Sequence, residues 1–320
     1  MSKKISYSIL SVFAVCSVLL LVIAAGCTGT TSTQKTTATP VATTAQPVAT
    51  ASPVTATQEP TVVATAVPAV EATATTSGSS PSGYVIAYTA ASLSGASKVI
   101  TPAFHKEYPQ AFVTFNLAGT QTIKHQVESG AYADVFISAS SSYTNSLKNE
   151  GYFVNDTVKE LTTNYVILIL PANNPGKITS LADLATPGKK IAIGTSEVPI
   201  GIVTRGVLDK LGNSTYNASW EQAVYNNVVT YETAEPSIAT KVALGQVDAG
   251  FVYESTYKAA KNGTLTAIDI PKEQNVLQKY QIAVMRLSTN KDAAQAFENY
   301  MLSADGGQKI LSDFGFRPVS

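Results

Sequence analysis

AASLSGASKVITPAFHKEYPQAFVTFNLAGTQTIKHQVESGAYADVFISA, residues 90–139, is the stretch that decides the fold. An apolar run beginning at Tyr84 passes through small residues and hydroxyls into a helical period that lasts to Tyr108. A second run ends in FNLAGTQT and leads to another helical period up to Glu128, after which GAYADVFISA opens a third strand. Twice, then, a strand enters a helix through a loop of Ser, Thr, Ala and Gly. Unpaired helix N–H groups and hydroxyl donors therefore collect at the carboxyl edge of one sheet, where an anion can be held without a cation.

The alternation continues outward. YVILILP, KIAIG, NVVTYE, AGFVYE, LTAIDIP and YQIAVMR are short runs rich in Val, Ile, Tyr and Phe, mostly bounded by Gly, Pro, Asn or Ser, and read as strands. Helical periods fall near residues 96–108, 122–128, 144–150, 202–211, 237–244 and 291–314. Strands alternating with helices give an α/β fold of mixed, mainly parallel sheets with helices on both faces. No repeat period is present, which excludes a solenoid or propeller. New strands begin after Leu161, and the last helical stretch follows YQIAVMR as a return to the first half. Two Rossmann-like lobes are expected, residues 83–163 with 281–320 and residues 164–280, crossed near Thr163 and Tyr280.

Four helix starts carry the candidate chemistry. Ser92 and Thr120 stand where an N-cap or anion donor would stand after the first two strands. Val198-Pro199-Ile200-Gly201 and Glu235-Pro236-Ser237 place proline in a first helical turn, where its missing N–H costs nothing. Each such end offers free N–H groups and the positive end of a dipole. Any one of them alone is an ordinary capped helix; four facing one cleft would make an oxyanion site.

The ends of the chain carry different information. Lys3 and Lys4 precede an apolar run over residues 5–25, then Gly26 and Cys27. Residues 1–27 read as an export signal ending in a lipoprotein cysteine, preferred over an uncleaved membrane anchor because small residues directly before a cysteine have no part in a plain anchor. Either reading leaves the rest of the chain extracytoplasmic, attached at the outer face of the cell membrane. Residues 28–82 are Thr, Ala, Pro, Val, Ser and Gly with almost no charge, a composition expected to form a disordered tether. Both cysteines, Cys16 and Cys27, belong to the leader, so the folded part has no disulfide or thiolate metal site. Lysine plus arginine and aspartate plus glutamate number 22 each, so no basic field favours nucleic acid.

Enzyme signals are weak. Ser255-Thr256-Tyr257-Lys258 matches S-x-x-K without partner motifs and reads as the solvated start of a helix. His105 and His125 lie on amphipathic helices with no metal-ligand spacing. Asp134 and Asp248 precede strands and are expected to pair with nearby backbone amides.

Set in order, AASL from Ala90, AGT from Ala118, QVESGAYADVFISA from Gln126, VPIG from Val198, VDAGFVY from Val247 and the terminal FGF resemble the molybdate-binding proteins of ABC importers. The resemblance runs from Tyr84 to Phe316. It implies a type II periplasmic-binding-protein fold that holds molybdate or tungstate between two lobes. It also implies no cofactor, no enzymatic activity, a monomer, and a membrane permease and ATPase as partners. By the same resemblance Ser92 and Thr120 donate from the first lobe; amides near Val198 and Ile200, a group at Glu235 and the Tyr253 hydroxyl act from the second. Thr120 replaces a serine common in the family. The bacterial members place an apolar residue where Glu235 stands. Archaeal relatives have a Glu there that bonds the metal directly, with an Asp at the position of Val198. This chain has one of those two carboxylates, so Glu235 is either a direct ligand to the metal or a capping carboxylate. Alternatives are a binder of another oxyanion such as sulfate, or a cell-envelope lipoprotein without transport function. An amino-acid binder of the same fold would want an arginine and an acid in the cleft.

Overall fold

The computed structural model describes residues 80–260 and 263–319; Cys27, the leader and nearly all of the tether lie outside them. In chain order the first elements are β1 (Gly83–Ala90), a 3-10 turn (Ala91–Leu93), α1 (Ser94–Glu107), β2 (Ala111–Ala118), α2 (Thr120–Glu128), β3 (Val135–Ser138), α3 (Ser141–Asn149) and β4 (Lys159–Asn164). The chain continues through β5 (Val166–Pro171), β6 (Ile191–Gly194), α4 (Pro199–Ser214), α5 (Ala218–Asn226), β7 (Val228–Glu232), α6 (Glu235–Ala243), β8 (Ala249–Tyr253), α7 (Glu254–Ala259) and β9 (Leu265–Ile268). It closes with β10 (Gln278–Val284), α8 (Lys291–Leu302) and α9 (Lys309–Asp313).

Two five-stranded sheets result, ordered β2-β1-β3-β10-β4 and β7-β6-β8-β5-β9. Around β1 and β6 all pairings are parallel, as the strand–helix alternation requires. β10 and β5, the strands that enter a sheet after a crossing, are antiparallel to both neighbours. Parallel and antiparallel pairings are thus equal in number, and the expectation of mainly parallel sheets is corrected to evenly mixed ones. Apolar periodicity fixes which face of a strand is buried, not its direction. The chain leaves the first sheet at Tyr165, and it returns between Ile268 and Gln278. Thr163 and Tyr280, read as crossing points, therefore lie inside β4 and β10.

Central strands β3, β5, β6 and β8 are buried along their whole length, which explains their unbroken apolar runs. Against the first sheet, Phe104 of α1 meets Phe297 of α8 edge to face at 5.1 Å. Against the second, α4 buries Val203, Val207, Leu208 and Leu211, a stripe of helical spacing. The helix expected over residues 291–314 is broken after Leu302, with Gly306 at φ −97 and ψ −114. There Gly307 lies so close to the backbone of Met301 that no side chain would fit.

Two aspartates hold the far ends of the strands. Asp134, fully buried, accepts from Ile86 N at 2.8 Å and from Ser288 Oγ at 2.7 Å. Asp248 accepts from Lys190 N at 2.8 Å. Both are structural, as their placement beside strand starts suggested. His105 Nδ1 lies 3.3 Å from Ala111 O, and its ring stacks on Phe112; the His125 side chain is exposed. Among the described residues no helix is long and apolar enough to cross a membrane.

Candidate oxyanion site

The helix starts are capped in different ways. Ser140 before α3 and Asn217 before α5 accept from a first-turn N–H through their side chains. The positions before the 3-10 turn, α2, α4 and α6 are Ala90, Gly119, Val198 and Ala234, and none makes a side-chain cap. Three of the four carry no side-chain acceptor because they are alanine or valine, and the fourth is glycine. Part of their first turns bonds back to the backbone, as Thr122 N does to Gly119 O at 2.9 Å and Ser237 N to Ala234 O at 3.2 Å, and no side chain takes the N–H groups that remain.

These four starts surround one small cavity of ≈ 20 Å³, lined by Ser92, Thr120, Val198, Ile200, Glu235 and Tyr253 together with small residues such as Ala91 and Gly119. All six residues singled out in the sequence are therefore brought to one place. A volume of this order holds one or two water-sized spheres, far below the size of sites for sugars or amino acids. Among the described residues no lysine or arginine lines it. The guanidinium of Arg205 is instead spent on the carbonyls of Gly194 and Gly201, at 3.1 and 2.8 Å.

Two glycines permit the close approach. A Cβ on Gly119 would stand 2.5 Å from the Thr233 carbonyl, which belongs to the opposite sheet's loops. One on Gly201 would collide with the Thr195 carbonyl, so the first turn of α4 packs directly on the end of β6. The two sides are also tied by hydrogen bonds: Gln121 Nε2 donates to Thr233 O at 2.8 Å, and Tyr143 OH donates to Glu197 O at 2.7 Å.

Details at each residue refine the reading. Ser92 and Thr120 are not N-caps: Ser92 lies within the 3-10 turn, and Thr120 is the first residue of α2. The difference is one or two positions; β1 ends at Ala90, before its run reaches Ser92, whereas β2 ends with its run at Ala118 and Gly119 takes the cap position. Thr120 Oγ1 accepts from Ala139 N at 3.1 Å, which leaves its own proton to give. Ser92 Oγ is 2.9 Å from the Tyr280 hydroxyl. The N–H of Val198 is used on Thr195 O at 3.3 Å, so its contribution is apolar lining; Ile200, in the first turn of α4, keeps the N–H that faces no helical partner.

Glu235 is 4% exposed and carries two partners: Oε1 accepts from Tyr253 N at 3.0 Å and Oε2 from Thr256 Oγ1 at 2.9 Å. Burial raises its carboxyl from 4.5 to about 7, against those two hydrogen bonds, which favour the charged form. It thereby ties the start of α6 to the start of α7. The Tyr253 phenol is held well above its ordinary range, first by burial, then by Tyr280 and Glu235, and remains a hydroxyl; it reaches Gln278 Oε1 at 3.5 Å, the limit of a hydrogen bond. Ser255, expected to be solvated, is buried and accepts from Asn164 Nδ2 at 2.7 Å. Tyr280, which meets Ser92 without lining the cavity, was not singled out because it lies far along the chain on a strand, with no helix-start motif to mark it.

The described geometry is that of a closed two-sided clamp offering neutral donors. Residues 85–317 match the family of bacterial extracellular solute-binding proteins, and the chain belongs to that family. It is 31% identical over 232 residues to the molybdate-binding protein ModA of Mycobacterium bovis, covering 72% of this chain and 84% of that one. Two solved structures share its fold. The periplasmic molybdate-binding protein of Azotobacter vinelandii superposes with a TM-score of 0.64 at 21% identity, over 74% of this chain and 100% of that one. The sulfate-binding protein SubI of Mycobacterium tuberculosis does so with 0.65 at 19% identity, over 74% and 87%. The fold is the type II periplasmic-binding-protein fold.

Proposed function

We propose that this chain is the extracytoplasmic substrate-binding component of an ABC importer. It captures molybdate or tungstate between two lobes, residues 83–163 with 281–320 and residues 164–280, and presents the closed form to a membrane permease whose partner ATPase supplies the energy. The single observation that carries the reading is the convergence of four helix starts without side-chain caps on one cavity that no cation lines. The protein acts as a monomer, tethered by residues 28–82 to a lipid on Cys27, and catalyses nothing.

A fully deprotonated tetrahedral dianion offers acceptors only, and a shell of N–H and O–H donors matches it. Hydrogen phosphate keeps a proton that finds no acceptor in such a shell, a mismatch of roughly 1–3 kcal/mol. Several charge-assisted bonds of about 1.5–3 kcal/mol each offset the desolvation of the ion. Since donors come from both lobes, the ligand favours the closed form by its own binding energy.

Glu235 acts in this reading as an internal acceptor and not as a ligand to the metal. Both of its oxygens are already bonded within the second lobe, and burial favours its neutral form, which a neighbouring dianion tolerates. X-ray absorption of the complex should then show four short metal–oxygen bonds and no further shell. Isothermal titration with molybdate, tungstate, sulfate and phosphate tests the function itself. Tight binding of the first two, with sulfate and phosphate much weaker, supports it; preference for sulfate would reassign the ligand, and no binding of any oxyanion would reject the reading.

A further inference from the structure

The terminal motif FGF and the arginine after it have no part in the functional reading, yet through their neighbours they reach both sides of the cavity. Gly315, at φ +85, turns the chain away from α9. Arg317 then pairs with Thr163 of β4, the edge strand of the first sheet, each accepting the other's N–H at 2.8 Å. The Thr162 hydroxyl also donates to the Arg317 carbonyl at 2.8 Å. This anchorage uses only the backbone of Arg317, so the side chains of Phe316 and Arg317 are left to other partners.

Those partners belong to different sheets. Phe316, 3% exposed, meets the ring of Tyr280 on β10 edge to face at 5.4 Å. The hydroxyl of Tyr280 is in turn 2.9 Å from Ser92 Oγ, which lines the cavity behind β1. Arg317 takes both oxygens of Glu254: Nη2 donates to Oε1 at 3.1 Å and to Oε2 at 2.9 Å, and Nε to Oε2 at 3.2 Å. Its guanidinium also lies over the Tyr165 ring, 5.0 Å from the centroid, at the point where the chain leaves the first sheet. Glu254 opens α7 and directly follows Tyr253, which lines the cavity at the end of β8 in the second sheet.

Among the described residues, Arg317–Glu254 is the ion pair that joins the first sheet's half to the second's; the pairs made by Glu128, Glu160, Glu232 and Asp313 each stay within one half. With side chains 50% and 19% exposed, it adds little to stability. What a bidentate guanidinium–carboxylate fork supplies is direction, because its planar geometry fits in one way. We infer that Phe316 and Arg317 are positioning residues of the oxyanion site: Phe316 holds Ser92 through Tyr280, and Arg317 holds Tyr253 through Glu254. One dipeptide, fixed to the edge of the first sheet, thereby sets one cavity hydroxyl on each side. Neither of the two lines the cavity itself.

The inference rests on the cavity's being the oxyanion site, and crossed double-mutant cycles separate the two claims. Molybdate is titrated at neutral pH into the wild-type chain, Phe316→Leu and Arg317→Ala, and into each of these combined with Ser92→Ala or with Tyr253→Phe. Arg317→Ala keeps the backbone bridge to Thr163, and Phe316→Leu keeps an apolar side chain in place, so melting of the ligand-free variants gauges general damage. Each single variant should weaken molybdate roughly three- to tenfold. The loss from Arg317→Ala should shrink to less than about twofold in the Tyr253→Phe background and persist in Ser92→Ala; that from Phe316→Leu should shrink in Ser92→Ala and persist in Tyr253→Phe. For either residue, equal losses in both backgrounds, or no loss in the single variant, would overturn the inference while leaving the site in place. Failure of the wild-type chain to bind any oxyanion would overturn the functional reading and this inference with it.

Discussion

The carboxylate of Glu235 accepts the backbone N–H of Tyr253 at 3.0 Å, so that the residue opening α6 fixes the residue from which α7 begins. Two helix starts on one side of the cavity are thereby set relative to each other by a buried acid. The cost of that arrangement is desolvation, visible in a carboxyl raised from 4.5 to about 7.

That displacement fixes a pH dependence of stability. Between pH 4.5 and about 7 the folded chain holds a proton that the unfolded chain releases, so stability falls as pH rises through this window and levels off above it. The whole effect is about 3 kcal/mol. Glu235→Gln imitates the protonated acid and should lose this slope, being more stable than wild type at pH 8 by up to that amount and equal to it near pH 4.5. Urea unfolding across pH measures both chains; parallel slopes would contradict the assignment.

Ligand binding should be coupled to the same group. A dianion beside Glu235 favours its neutral form, so binding takes up a proton and affinity should fall above pH 7, approaching tenfold per pH unit. In Glu235→Gln the affinity should be unchanged or higher and nearly independent of pH. A large loss of affinity in that variant would instead make Glu235 a ligand to the metal.

Ser92→Ala and Thr120→Val each remove one hydroxyl from the cavity wall. Each should weaken molybdate by about 1–3 kcal/mol in titrations while far-ultraviolet dichroism stays unchanged. Unaltered affinity in both would take these two loops out of the site.

Tyr143 lies away from the cavity wall, yet its hydroxyl reaches the Glu197 carbonyl at 2.7 Å, bonding α3 to the loop before α4. Tyr143→Phe should weaken oxyanion binding about three- to tenfold by destabilising the closed form alone. Small-angle scattering of the ligand-free variant should show a more open average shape, and saturating molybdate should restore the wild-type profile.

Asp134 sits at the opposite end of β3 from Ala139, which borders the cavity. Asp134→Ala strands the N–H of Ile86 and the hydroxyl of Ser288. A loss of roughly 2–4 kcal/mol in unfolding free energy is expected, with molybdate affinity nearly unchanged in whatever remains folded.

Much of this molecule can be read from its chain, and the parts that cannot have physical reasons. Helix starts are local: Pro199, Pro236, Gly119 and the small residues near Ser92 act on their own backbone, so their spacing announces where N–H groups emerge. The cleft between them follows from the order of strands. β4, with the polar sequence KELTTN, was not legible, because its strand conformation is imposed by pairing with β10 more than one hundred residues on. The antiparallel entries of β5 and β10 share that origin. α5 escaped notice although Asn217 caps it, since its apolar residues Trp220 and Val224 are few and close together. Tyr280 and Asn164 depend entirely on tertiary contact with Ser92 and Ser255; no local pattern could have joined them.

The most direct measurement is the crystal structure of the chain with molybdate bound. The account predicts one tetrahedral ion within hydrogen-bond distance of Ser92 Oγ, Thr120 Oγ1 and the amide of Ile200, four-coordinate, with Glu235 still bonded to Tyr253 and Thr256. An ion contacted by a lysine or arginine side chain, or found away from these helix starts, would contradict it.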